Sequence, residues 1–405
     1  MRFSSYLVDF LISLTLEKKE LESFKVLKES DFNNLEKALF FNKLEPRFIN
    51  FLRLNNITEV NKGIDLKQIN KAANIRGLHN LSILNNASNF LANLNNRKID
   101  YRLLKGAYIN THNKKLSGFR PIKDIDILIR LKDIQTVLDI AFHHGYKFED
   151  EGLNKDDLKF NFDYRYDLPN LINSSGQIIE LHVRFSDVYD YDECPFIKLA
   201  FEKKILKELY GIEVPFPSEI AQILMAIYSG SKKRYFDSGS LFLSDIKVIQ
   251  EESKIQTSVI LAEAKKNNLG NAAKLIMQIV DQDNLLEKDC IKPDMISKAK
   301  RLITYNSVSD SKRITDIFLK KKLSNWKKLY EHSISKKSMQ ASFPFKAKWK
   351  LLFYIPIKIY RQFKRVGKIF FLHLFSSKIK AELNDLQDIM GLIDENKDIR
   401  SSKSK

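Results

Sequence analysis

The chain has 405 residues, 44% of them hydrophobic and 29% charged, with only 13 glycines and 9 prolines; this supplies enough apolar material for two or three compact domains and excludes a disordered, collagen-like or loop-rich β protein. A formal net charge of +18 suits an anionic partner such as a nucleotide, a nucleic acid or a lipid surface, and is equally the mark of an AT-rich coding bias that enriches Lys, Asn, Ile and Phe together and leaves the lysines as solvated surface. Cys194 and Cys290 belong to no CxxC or Cys/His cluster, which speaks against a disulfide framework or a zinc site, and Asp9 and Glu17 interrupt the first apolar run before it can serve as a signal sequence or a membrane span, so a cytoplasmic setting is expected.

Residues 1–95 read as an N-terminal helical region without visible chemistry. Leu81, Leu84, Leu91 and Leu94 recur at helical spacing, and polar clusters such as Asn55-Asn56 separate the segments. Residues 96–212 read as a small α/β domain. Tyr101, Leu103 and Leu104 form a short strand ended by Lys105-Gly106, where a helix starts, and a polar loop follows through Asn113, Lys114, Lys115 and Gly118. Residues 123–130, KDIDILIR, alternate strictly, so Asp124, Asp126 and Leu128 share one face of a strand and Ile125, Ile127 and Ile129 the other. A helix is predicted next from the stripe Ile134, Val137, Leu138 and Ala141, capped by a left-handed Gly145, with a strand beginning at Tyr146.

An acidic and aromatic stretch covers residues 149–167. Residues 177–185 then alternate again, with Glu180, His182 and Arg184 on one side. Residues 213–335 read as a helical domain beyond Pro215 and Pro217, with helices within 220–228, 241–249 and 259–280. Residues 336–382 form a basic amphipathic segment and residues 383–405 a polar C-terminal tail.

Two aspartates at alternate strand positions project side by side and repel one another unless a proton or a divalent cation lies between them. Mg²⁺ suits such hard oxygen ligands, and Mn²⁺ is the alternative. Glu180 completes the group if its strand pairs beside the first, and two ions about 3.5–4 Å apart then bridge nucleophile and leaving phosphate. At Lys105-Gly106-Ala107 a glycine at a helix start lets backbone N–H groups approach a phosphate. Lys105 and Arg120 add cationic contacts to a triphosphate. The plain alternative for the DxD strand is a solvated acidic face. His182 is either an acid or base near neutral pH or a hydrogen-bonded structural residue, and Asp245 is a salt-bridge partner or helix-terminal acid before it is a residue of the cleft.

Leu104-Lys105-Gly106-Ala107, the run Gly118-Phe119-Arg120-Pro121-Ile122-Lys123-Asp124-Ile125-Asp126-Ile127-Leu128-Ile129, His144-Gly145-Tyr146, and Glu180-Leu181-His182-Val183 occur in that order. Together they resemble the uncharacterised nucleotidyltransferase family of the DNA polymerase beta-like superfamily, over about residues 95–250. The resemblance implies an α+β fold in which a mixed β-sheet nucleotidyltransferase domain is flanked by N- and C-terminal helical regions. It also implies Mg²⁺ (or Mn²⁺) and an NTP as the substrate. By position, Gly106 is then the phosphate-loop glycine, Asp124 and Asp126 the metal carboxylates, and Glu180 the third carboxylate that helps activate the nucleophile. Lys105, Arg120 and His182 are accessories to nucleotide binding, together with Ala107, which stands where many members of the superfamily carry a serine. The expected reaction moves a nucleoside monophosphate from an NTP to an unidentified small-molecule, glycan or protein acceptor. The alternative is a catalytically weak nucleotide-binding or membrane-peripheral adaptor.

Between His332 and Ala381 there is no acidic residue. After Pro356, Ile359, Phe363, Val366 and Phe370 fall on one helical face, and Lys358, Arg361, Arg365 and Lys368 largely on another. Residues 340–381 therefore suit an anionic membrane surface at the inner face of the plasma membrane, where each Lys or Arg contributes about 1 kcal/mol. Packing on the protein itself is the equal alternative, and nucleic acid ranks behind both.

Overall fold

The computed structural model describes residues 3–60, 64–112, 119–149, 168–183, 195–233, 236, 239–281, 290–304 and 377–393. The basic loop of Asn113, Lys114, Lys115 and Gly118 lies outside them, as do Arg184, most of the basic amphipathic segment and residues 394–405.

The N-terminal region is helical, as its spacing predicts: α1 (Ser5–Leu16), α2 (Glu20–Lys25), α3 (Glu29–Asn42), α4 (Glu45–Leu54) and α5 (Leu66–Asn96). Their ends follow local chemistry. Ser4 caps α1 by accepting the Leu7 N–H at 3.0 Å, Pro46 sits in the first turn of α4, and Asp65 caps α5 by accepting the Gln68 N–H. Helices α1 to α4 close over an aromatic cluster in which Phe10, Phe24, Phe48 and Phe51 hold ring centroids 5.2–6.4 Å apart. On α5, Leu84, Leu91 and Leu94 are buried but Leu81 is 51% exposed. The buried phase of that helix runs through Asn80, Ile83, Ala87 and Phe90, and Leu81 lies off it.

The sheet is mixed, in the order β1-β2-β5-β4-β3. Its strands are β1 (Tyr101–Leu103), β2 (Ile125–Ile129), β3 (Lys147–Phe148), β4 (Leu171–Ile172) and β5 (Ile178–His182). Strand β1 runs antiparallel to β2, and β2 runs parallel to β5. Helix α6 (Gly106–His112) follows β1, and α7 (Ile134–His143) begins the crossover from β2. Helix α7 buries Ile134, Val137, Leu138 and Ala141. It ends in a Schellman turn, with Gly145 at φ +77° and the Tyr146 N–H returning to the Ala141 carbonyl. An α+β fold with helices on either side of a mixed sheet is thus what the chain adopts.

Strand β4, the helix after β5 and a hairpin were not predicted. Beyond α8 (Pro195–Glu202), strands β6 (Lys204–Leu209) and β7 (Ile212–Pro217) form a hairpin. Its two-residue turn, Tyr210 at φ 48° and Gly211 at φ 80°, has the paired positive angles of a type I′ turn. Pro215 and Pro217 argue against a central strand, and this two-stranded ribbon has no central strand to disrupt. The chain then returns to helices α9 (Glu219–Tyr228), α10 (Leu241–Ser253), α11 (Thr257–Lys266), α12 (Gly270–Val280), α13 (Pro293–Thr304) and α14 (Ser377–Ile393). The stretch expected to be helical over 259–280 is two helices, broken where Asn268 takes φ 55°. Among the described residues no helix is long and apolar enough to cross a membrane.

Candidate active site

Strands β2 and β5 pair in the register Asp126↔Glu180 and Leu128↔His182, so the second polar-faced strand does lie beside the first. Neighbours paired in register point to one face, and the alternation of each strand therefore delivers Asp126, Glu180 and His182 to a common point. All five residues of β2 are buried. Asp126 is only 4% exposed, which removes the solvated-face alternative for that residue. Asp124 lies just before the strand and is half-buried.

Asp126 Oδ1 accepts from His182 Nε2 at 2.7 Å and is also bonded by Lys105 Nζ. His182 Nε2 stands 3.6 Å from Glu180 Oε2, and the carboxyl groups of Glu180 and Asp124 are hydrogen-bonded to each other. Burial disfavours the charged form of all three acids, but their neighbours differ. Glu180 is pushed up to about 7 by burial and by the charges of Asp126 and Asp124. Asp124 is raised by burial and by Asp126. For Asp126 burial is outweighed by Lys105 and His182, and its carboxyl is held well below the usual carboxylate range. The surroundings therefore push the acids apart, favouring the ionised form of Asp126 and the protonated form of Glu180.

Lys105 takes φ 54° at the turn out of β1, and that left-handed turn aims its ammonium at Asp126. Gly106 has a different reason to be glycine. A Cβ there meets Ile122 Cγ2 at 2.4 Å and Arg120 Nη1 at 3.4 Å, so the first turn of α6 packs directly on the segment that leads into β2. Ala107 is buried behind it. Arg120 makes a bidentate pair with Asp245 on α10, at 2.7 and 2.8 Å, and donates to the Pro121 carbonyl. This is the salt-bridge reading of Asp245. Both partners are largely buried, with side chains 14% and 9% exposed.

Two asparagines complete the support, and motif reading missed both. Asn80 on α5 donates to the Arg120 carbonyl at 3.0 Å and accepts the Ile122 N–H at 2.9 Å; Asn110 on α6 donates to the same carbonyl at 2.8 Å. The signal for Asn80 was a polar residue in the buried phase of α5.

One oxygen each from Asp126 and Glu180 and one imidazole nitrogen of His182 lie within 4.8 Å of one another. Two hard carboxylate oxygens and an imidazole nitrogen form a donor set that fits a divalent cation. Asp124, expected as a direct ligand, meets Glu180 at the edge of this set, and His182 stands inside it.

A model of the family described as Uncharacterised nucleotidyltransferase matches residues 28–282, a span that takes in every side chain named above. The chain belongs to that family. No curated protein and no solved structure matches the chain. This nucleotidyltransferase, an enzyme that transfers phosphorus-containing groups, therefore carries an acidic cluster with metal-ligand spacing on two neighbouring inner strands of its mixed sheet.

Proposed function

We propose that the chain transfers a nucleoside monophosphate from an NTP to a hydroxyl of a small-molecule, glycan or protein acceptor, with Mg²⁺ or Mn²⁺ as cofactor. The observation that carries this reading is the parallel register that sets Asp126 beside Glu180. Asp126 and Glu180, with His182 alongside, would hold a divalent cation, whose chemistry there would be to supply positive charge to the phosphate oxygens. The rest falls to side chains. The acceptor oxygen forms a bond to the α-phosphorus, the bond from that phosphorus to the bridging oxygen breaks, and pyrophosphate leaves. The acceptor proton goes to a carboxylate. Glu180, whose own proton would be displaced when a cation binds, is the carboxylate placed beside Asp126 to take it. Lys105 and His182 fix the Asp126 carboxylate from two directions, and Asp124 orients Glu180.

The test is transfer of label from each α-labelled NTP into cell extract with Mg²⁺ or Mn²⁺. Asp126→Asn is expected to lower incorporation at least about a thousandfold by removing ligand charge without volume. The fold should hold, because Lys105, with 43% of its side chain exposed, returns to solvent. Undiminished incorporation by the Asn variant overturns the reading.

A further inference from the structure

The cations around the carboxylates are of two kinds. Lys105 is paired with Asp126 and Arg120 with Asp245. Arg76 on α5 is paired with Glu45 through bonds of 3.1 and 2.9 Å. Each of these must give up an anion to take another, and for the buried Arg120 pair that exchange is strongly unfavourable. Lys43 and Lys123 have no ion-pair partner among the described residues, and both are exposed.

Lys43 comes from the N-terminal helices, where no motif pointed to chemistry. It is the left-handed residue that ends α3, at φ 57°. The turn that carries it is fastened on both sides. Buried Asn42 accepts the Ser240 N–H at 3.1 Å and donates to the Thr304 carbonyl at 2.7 Å. Glu45, two residues on, holds Arg76; one helical turn further along α5, Asn80 grips the Arg120 carbonyl and the Ile122 N–H, directly ahead of Lys123 and Asp124. These contacts bring Lys43 within electrostatic reach of Arg120, Arg76, Asp124 and Lys123. Arg120, Arg76 and Lys123 surround it with like charge, which an arriving anion relieves.

We propose that Lys43, with Lys123 beside it, is the phosphate-binding edge of the site, holding a phosphoryl group of a substrate next to the carboxylates. This rests on the nucleotidyl-transfer reading. The carboxylates repel a polyphosphate, and two uncommitted lysines, one ending α3 and one leading into β2, offset that repulsion without breaking an existing pair. The phosphoryl group is either the β,γ-diphosphate of the nucleotide or a phosphate on the acceptor, since both present the same oxygens.

The test uses the full chain and inorganic tripolyphosphate, by isothermal titration calorimetry in chelated buffer and again with Mg²⁺. Wild type is expected to bind. Lys43→Gln should weaken binding about tenfold, the loss of one charge-assisted contact, while Lys43→Arg stays close to wild type and Mn²⁺ binding followed by electron paramagnetic resonance is unchanged in both. Equal affinity of Lys43→Gln and wild type, or no wild-type binding, overturns the proposal. Failure of the catalytic reading looks different: wild type takes up no Mn²⁺, yet tripolyphosphate binding in chelated buffer still depends on Lys43. Two further arms separate the sources. A tenfold loss for a non-hydrolysable NTP analogue, with none for the bare nucleoside, assigns Lys43 to the nucleotide. Unchanged analogue affinity, with loss of inorganic phosphate binding to the analogue complex, assigns it to the acceptor.

Discussion

The N-terminal aromatic cluster and the carboxylate end of the sheet are held by opposite means. Around Phe10, Phe48 and Phe51, stability comes from shape and area; no ring there depends on the charge of its neighbour. Around Asp126, every buried polar group depends on a specific partner: Lys105 and His182 for Asp126, Asp245 for Arg120, Asn80 for the Ile122 N–H. An apolar cluster accepts a neighbour of similar size. A buried ion pair such as Arg120–Asp245 fails when one partner is lost.

That contrast can be broken by substitution. The largest effect is expected from Asp245→Ala, which strands the Arg120 guanidinium and should cost about 3–5 kcal/mol in urea unfolding. Gly106→Ala comes next. Its methyl group has no room against Ile122, so a loss of about 1–3 kcal/mol is expected, and a much smaller loss when the same change is made in an Ile122→Ala background, where the clashing Cγ2 is already gone. Phe48→Leu in the aromatic cluster should cost about 1–2 kcal/mol and leave turnover of the folded protein unchanged. If Phe48→Leu proves as damaging as Asp245→Ala, the contrast is wrong.

The smallest effect sharpens the comparison through pH. Glu180 titrates at about 7 in the fold against 4.5 unperturbed. Between those values the folded protein binds more protons than the unfolded chain, so this group makes stability fall as pH rises from about 4.5 to 7. In chelated buffer, Glu180→Gln should flatten that slope and raise the melting temperature at pH 8. Addition of Mg²⁺ should stabilise wild type at pH 8 and leave the Gln variant nearly unmoved.

Much of this was legible in the residues. The alternation at 123–130 and 177–185 put Asp126 and Glu180 each on the polar face of its own strand, because strand periodicity is a local property. Gly145 announced its cap for the same reason. Partners across long sequence separations were not legible. Nothing near Arg120 says that Asp245 neutralises it, and nothing near Lys105 says that its ammonium rests on Asp126 rather than on a phosphate. The hairpin of β6 and β7 was hidden by Pro215 and Pro217, although Tyr210-Gly211 between two alternating runs is a turn signal. Lys43 was hidden more completely, since a lysine at a helix end carries no mark of what the tertiary fold sets opposite it.

The parallel pairing of β2 with β5 has one more consequence. Strands that run the same way cannot be joined by a tight turn, so the chain passes through α7, β3 and β4 before Glu180 and His182 reach Asp126. An unfolded chain holds these donors far apart and has no site to offer. A cation that gathers them is therefore bound by the native state alone, adding about 2.7 kcal/mol to its stability at a hundred times its dissociation constant. The cofactor would act as a clasp across the crossover as well as a reagent, and a chain deprived of it would unfold more readily than the same chain at work.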